Sequence, residues 1–135
     1  MTGTVVTLPP YAGLLGIVAE VDAAGAPVLV MPFDEPVVGR PGFVHGGAIG
    51  GLLEMAALAA LAQALEARGG GRIEPVNVTV DFMRGGREKP TRAAGIVTRL
   101  GTRIANVEAV AWQKDRATPI ASARINFLLA AVEDA

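Results

Sequence analysis

One histidine, two glycines directly after it and a carboxylate nine positions on are the residues in this chain best suited to covalent chemistry. The segment reads His45-Gly46-Gly47-Ala48-Ile49-Gly50-Gly51-Leu52-Leu53-Glu54. Gly46, Gly47, Gly50 and Gly51 fall where the downstream pattern reads as helix, and a glycine inside a helix costs about 0.8–1 kcal/mol relative to alanine. Such a cluster indicates that something approaches bare backbone, with free N–H groups at the helix start available to bind it. A helix N-terminus can hold a developing oxyanion, and a nearby carboxylate can act as base or nucleophile.

At about 100° per residue, Glu54 shares a stripe with Gly47, Gly50, Gly51, Leu58, Leu61 and Leu65. Desolvation between glycine and leucine would raise its pKa and poise a base. The plain alternative is a half-exposed glutamate near a helix end, or one paired with an arginine; the glycines favour the functional role. His45 could equally cap or pack. Its place beside Gly46, whose N–H is an orphan donor at the positive end of the helix, favours function. No serine sits in a nucleophile elbow, so no Ser–His triad is present.

The elements that must position these groups follow from periodicity. A short helical piece (Pro9 to Gly16) precedes two short strands, Ile17–Val21 and Val28–Met31, joined at Asp22-Ala23-Ala24-Gly25. A Pro- and Gly-rich loop spans Pro32 to Phe43, and the helix runs from about Gly46 to Arg68, ending at Gly69-Gly70-Gly71. Val76, Val78, Val80 and Phe82 then alternate with polar residues as a half-buried strand. After the polar loop Arg84–Pro90, strands are predicted at Thr91–Arg99, Arg103–Trp112 and Ile120–Leu129. The order is two strands, a long helix and four strands, an α+β arrangement in one domain over 1–135. The helix is apolar nearly all round, so it should be enclosed by a curling sheet with the help of a second subunit.

Composition removes whole classes of function. The chain has 135 residues, 51% hydrophobic and 19% charged, with a net charge of −1; it should fold around a sizeable core, with no basic tract for nucleic acid or anionic membrane. With no cysteine and one histidine, disulfides, thiolate nucleophiles and a resident metal lack ligands. Met1 to Pro10 has neither the cationic nor the apolar region of a secretory leader, so a cytoplasmic protein is expected. Ala48 to Leu65 approaches the length of a membrane span, but Glu54 near its middle argues for a buried helix.

The histidine–glycine–glycine motif with Glu54 on the following helix resembles the hotdog-fold acyl-CoA thioesterases of the phenylacetate-degradation and 4-hydroxybenzoyl-CoA type. Asp81-Phe82-Met83-Arg84, Gly101-Thr102-Arg103 and Ala121-Ser122-Ala123-Arg124 resemble further segments of that family, and the likeness covers about Leu15 to Leu129. The resemblance implies an antiparallel sheet wrapped around one long central helix. It implies that the Gly46 N–H polarises the thioester carbonyl, that His45 helps position it, and that Glu54 activates water or attacks directly. The substrate would be a medium-chain or aromatic acyl-CoA lying against Gly47, Gly50, Gly51, Leu58 and Leu61, with coenzyme A as part of the substrate and no other cofactor. The assembly would be a homodimer or dimer of dimers, with each site shared between two chains. This chain departs from the family at Gly39, where Asn or Gln is usual, and at Pro75, where many members have Ser or Thr. Both missing groups would assist the carbonyl or the water, so restoring a side chain at Gly39 is expected to raise turnover. The alternative is a non-catalytic acyl-CoA binder on the same fold; hotdog hydratases would need an Asp–His pair at a spacing this chain lacks.

Overall fold

A helix that is apolar on most sides needs a sheet broad enough to cover it and residues small enough to let it close. The computed structural model, which describes residues 8–130, supplies both. Its elements are α1 (Pro10–Leu14), β1 (Val18–Val21), β2 (Pro27–Met31), a 3-10 turn (Glu35–Val37), α2 (Gly46–Glu66), β3 (Arg72–Phe82), β4 (Thr91–Leu100), β5 (Ile104–Trp112) and β6 (Ala121–Ala130). The strands form one antiparallel sheet in the order β1-β2-β4-β5-β6-β3, with α2 lying across its inner face, mainly on β4 and β5. The expected α+β arrangement is therefore observed. Of the segment Met1 to Pro10 considered for a leader, the first seven residues lie outside the described ones.

Alternation along β5 and β6 decides what meets the helix. Ala105, Val107, Ala109 and Ala111, with Ala121, Ala123, Ile125 and Phe127, point inward and are buried, while Glu108, Arg124 and Leu128 point outward. Alanine recurs because the helix backbone comes close. The closest approach is at Gly95 on β4, where a β-carbon would stand 2.7 Å from the Ala56 carbonyl oxygen and 2.9 Å from Ala57 Cα and Ala60 Cβ. Leu52, Leu53 and Leu61, each 0% exposed, fill the remaining inner space with Phe127 and Leu29. By length and composition α2 could cross a membrane (mean hydropathy 1.7), but 61% of its apolar window is buried, and it is the core helix.

The far end of α2 is fixed by backbone that only glycine adopts readily. Gly69 and Gly70 have φ of 82° and 88°, and the Gly70 N–H donates to the Leu65 carbonyl at 2.9 Å. The Arg68 guanidinium then donates to the carbonyls of Gly101 (2.7 Å) and Leu100 (3.1 Å), tying the helix end to the β4–β5 turn.

β3 differs most from its sequence reading. It starts at Arg72 rather than Val76, with Pro75 inside it. Proline is accepted because β3 is the last strand of the sheet and its register with β6 shifts between Pro75 and Asn77, so no ladder hydrogen bond is lost. Three of its apolar residues are more exposed than the half-burial expected, Val76 at 61%, Val78 at 39% and Phe82 at 57%, whereas Val80 and Ile73 are half-buried against the core as expected. The sheet extends past the helix there, leaving Val78 and Phe82 of the inward row of β3 largely uncovered while Val80 still packs against the core. Beside it runs the incompletely buried stripe of α2: Gly47, Gly50, Gly51, Glu54 and Leu58.

The contact at Gly95 generates a stability prediction. Gly95→Ala overpacks backbone against backbone and should cost about 1–3 kcal/mol, read as a lower urea midpoint at unchanged slope. At Gly50 nothing lies within 4 Å of an added β-carbon, so Gly50→Ala should stabilise the isolated chain by roughly 0.5–1 kcal/mol. Equal effects from the two variants would refute this account of the helix seat.

Candidate functional site

The helix start is held by a tight hairpin in the preceding loop. The Gly39 N–H donates to the Phe43 carbonyl (2.9 Å), Phe43 N–H to Arg40 (3.0 Å), and His45 N–H to Val37 (2.7 Å). From outside, the Val44 N–H donates to the Gly86 carbonyl at 2.9 Å. These bonds present His45 as the N-cap of α2 in extended conformation (φ −63°, ψ 131°), with its Nδ1 accepting the Gly47 N–H at 2.8 Å. In the neutral ring the proton then sits on Nε2, on an exposed residue, as a hydrogen-bond donor. The capping role weighed as the plain alternative is real, and it orients the imidazole.

The cap also sorts the N–H groups of the first turn. Gly47 donates to the imidazole, while Ala48 and Ile49 donate to the His45 carbonyl at 3.0 and 3.1 Å. Among the described residues the Gly46 N–H has no partner, and Gly46 is exposed. One free backbone donor therefore stands at the positive end of a 21-residue helix beside the imidazole.

Two of the glycines have steric reasons and a third has only an ordinary contact. At Gly47 a β-carbon would meet the imidazole at 2.9 Å, at Gly51 the Tyr11 ring at 2.8 Å, and at Gly46 it would touch the Phe82 ring at 3.6 Å. Gly50 faces open space. The stripe is thus flanked by aromatic rings from α1 and from the end of β3. Tyr11 and Phe82 reach the helix only through the fold, so local spacing gave no sign of Tyr11, and Phe82 read simply as a strand residue.

Glu54 lies on this stripe, half-buried, with no hydrogen bond or ion pair among the described residues. The alternative of an arginine-paired glutamate is not what the fold builds. Leu58 is half-buried next to it, whereas Leu61 is fully buried and belongs to the core behind the stripe rather than to its open surface. Gly46 and Glu54 are eight residues apart on one helix, which separates their backbones by about 12 Å.

Gly39 is not a simple vacancy for a missing side chain. A β-carbon there would lie 3.1 Å from His45 Cα and 3.4 Å from its nitrogen, so hairpin backbone takes the space. Pro75 sits at the far end of β3, opposite Phe127, away from the end that carries Phe82 and Gly46.

Comparison with known proteins gives the arrangement a family. The family model for the thioesterase superfamily matches residues 41–120, more than half of the chain. A Chromobacterium violaceum protein is 36% identical, over 92% of this chain and 85% of that one, with a TM-score of 0.72. A phenylacetic acid degradation-related protein from Ralstonia eutropha is 22% identical over 90% and 91% of the two chains (TM-score 0.76). A Bacillus halodurans protein, crystallised with CoA, is 18% identical over 91% and 80% (TM-score 0.76). The last two likenesses show the fold, the hotdog arrangement of sheet and central helix. No curated protein matches the chain.

The hairpin yields a test that reverses the expectation drawn from sequence. Gly39→Asn should press on the His45 backbone and destabilise the chain by about 1–3 kcal/mol, with turnover falling rather than rising. A thermal melt at or above that of the unsubstituted chain, with faster turnover, would show that the hairpin yields and the side chain is accepted.

Proposed function

This chain belongs to the thioesterase superfamily, and from that premise we propose that it hydrolyses the coenzyme A thioester of a medium-sized apolar or aromatic acid, at sites shared between two copies. The carrying observation is the free Gly46 N–H at the helix start, next to an imidazole whose Nε2–H is also available. The thioester carbonyl oxygen accepts from Gly46, so the helix terminus stabilises the negative charge that develops as the carbon becomes tetrahedral. Glu54 takes a proton from water as the water oxygen attacks. The carbon–sulfur bond then breaks, the proton on Glu54 goes to the departing thiolate, and the acid so formed releases the second proton of the attacking water to solvent and leaves as the carboxylate. Gly50, Gly51 and Leu58 line the acyl group, with Tyr11 at its side. The bare backbone at Gly50 and Gly51 leaves width for a flat or branched chain.

The 12 Å gap argues for sharing. A glutamate side chain spans only part of it, yet donor and base must both come within roughly 3–3.5 Å of the reacting carbon. Antiparallel apposition of two α2 helices across a two-fold axis brings Gly46 of one copy to Glu54 of the other. The open stripe of α2 and the exposed Val78 and Phe82 of β3 lie side by side, and a second copy would bury both. The free edge of β3, eleven residues long, can extend the ladder into that copy.

Two experiments test this. With a panel of acyl-CoA esters and a thiol-trapping chromogen, the unsubstituted chain should release CoA, and Glu54→Gln should lose about 10²–10⁴-fold of that turnover with an unchanged melt. Wild-type turnover in a folded Glu54→Gln chain would remove the catalytic assignment, and tight CoA binding without thiol release would favour a binding protein. For sharing, His45→Ala and Glu54→Ala chains, each inactive alone, are mixed. Random exchange makes about half the dimers mixed, each with one intact site of two, so about a quarter of the activity should return. No recovery would place each site within one chain.

A further inference from the structure

The open stripe of α2 carries a hydroxyl that the core does not use. Of the two rings flanking the stripe, Phe82 is hydrocarbon and Tyr11 bears a phenol. Tyr11 belongs to a short helix fixed by its own bonds. The Ala12 N–H donates to the Pro9 carbonyl and the Ile17 N–H to the Ala12 carbonyl, both at 2.9 Å, while Ala12 and Leu15 are buried. The ring is therefore delivered to α2 by a firm support. It lies on bare backbone: a β-carbon at Gly51 would stand 2.8 Å from Tyr11 Cε2 and 3.5 Å from its Oη. Tyr11 is 46% exposed, and its hydroxyl has no hydrogen-bond partner among the described residues. A phenylalanine would pack on Gly51 equally well, so packing leaves the oxygen unexplained.

Glu54 is three residues beyond Gly51 on the same stripe, which sets their β-carbon positions about 5–6 Å apart. A helical side chain leans over the turn before it, so the Glu54 carboxylate is directed toward the Gly50–Gly51 surface on which the phenol rests. The two groups share one turn of helix, with the open space at Gly50 beside them. Glu54 is half-buried and unpaired among the described residues. A water held by a carboxylate alone donates one hydrogen and can turn about that bond, whereas a second acceptor fixes it. Gly39 and Pro75 supply no side-chain acceptor, and the donors at His45 and Gly46 serve the thioester carbonyl.

We infer that Tyr11 is the water-positioning residue of the hydrolytic site, an assignment that rests on the thioesterase proposal. The attacking water donates one hydrogen to the Glu54 carboxylate and the other to Tyr11 Oη, which leaves an oxygen lone pair for the thioester carbon. Glu54 takes its hydrogen as the new carbon–oxygen bond forms. The phenol neither gains nor loses a proton; the hydrogen it accepts stays on the attacking oxygen until solvent takes it. In the shared arrangement, Tyr11 and Glu54 of one copy hold the water, and His45 and Gly46 of the other hold the carbonyl. Gly51 is bare because a side chain there would lift the phenol from its place.

The test is kinetics on the full chain across the acyl-CoA panel. Tyr11→Phe keeps the ring on Gly51 and should lower kcat about tenfold, with KM and the thermal melt unchanged. Gly51→Ala displaces the ring without removing a polar group. It should cause a similar loss in the unsubstituted chain and little further loss in the Tyr11→Phe background. In the mixing experiment, Tyr11→Phe added to the His45→Ala chain should lower the recovered activity. Added to the Glu54→Ala chain instead, it should lower that activity far less. Unchanged kcat in Tyr11→Phe overturns the inference, as do full additivity with Gly51→Ala and an equal effect from either chain of the mixture. An effect confined to KM also overturns it and makes Tyr11 part of the acyl wall. If the unsubstituted chain releases no thiol from any ester, the hydrolytic proposal fails and this inference with it; unsubstituted turnover that Tyr11→Phe retains removes this inference alone.

Discussion

The contact between the backbones of α2 and β4 sets the geometry of everything else. Because Gly95 has no side chain and Ala56, Ala57 and Ala60 have the smallest ones, the helix sits directly on the sheet. A helix held this close turns a fixed face outward, and that face carries Gly47, Gly50, Gly51, Glu54 and Leu58. The core therefore decides where the carboxylate points. A bulkier seat at Gly95 would lift or roll the helix and carry Glu54 away from its present line.

The two ends of α2 are treated differently, and the difference suits the chemistry. At the C-terminus, glycines with positive φ turn the chain so that backbone N–H groups meet the carbonyls of Leu65 and Glu66, and the Arg68 guanidinium reaches out to the β4–β5 turn. At the N-terminus the cap is a histidine that satisfies Gly47 and leaves Gly46 free. A serine or aspartate cap would satisfy the turn equally well, but it would not place a second N–H donor beside the unsatisfied one. The hairpin bonds to Val37, Phe43 and Gly86 cost the loop its freedom and in return fix His45 before any ligand arrives.

Much of this was legible in the sequence, and the parts that were not share a cause. Strict alternation along Ala121–Leu129 and the triple glycine after Arg68 mark β6 and the helix end through local physics. The stripe containing Glu54 follows from helical geometry alone. Tertiary neighbours were hidden: Tyr11 against Gly51, Phe82 against Gly46, and Gln113 on the 87–89 loop across 24 to 26 residues. Leu61 shares the angular position of the stripe yet is buried, because the sheet covers that end of the helix and not the other. The early start of β3 was masked by Pro75, which reads as a strand breaker until the strand is known to lie at an edge. Gly39 read as a missing group because family patterns report side chains and not the backbone that can take their place.

The free margin of β3 has a consequence for the newly made chain. A strand of this length with open N–H and C=O groups and bare valines will accept any extended segment that meets it. Pro75 lacks a donor, the shift at Val76 breaks the pleat, and Arg72, Glu74 and Asp81 place charges along the rest. These features make most alignments poor, so they act as a key against promiscuous pairing during synthesis. The same margin that would join two finished molecules is thus the chain's main aggregation hazard, and its irregularities are its protection.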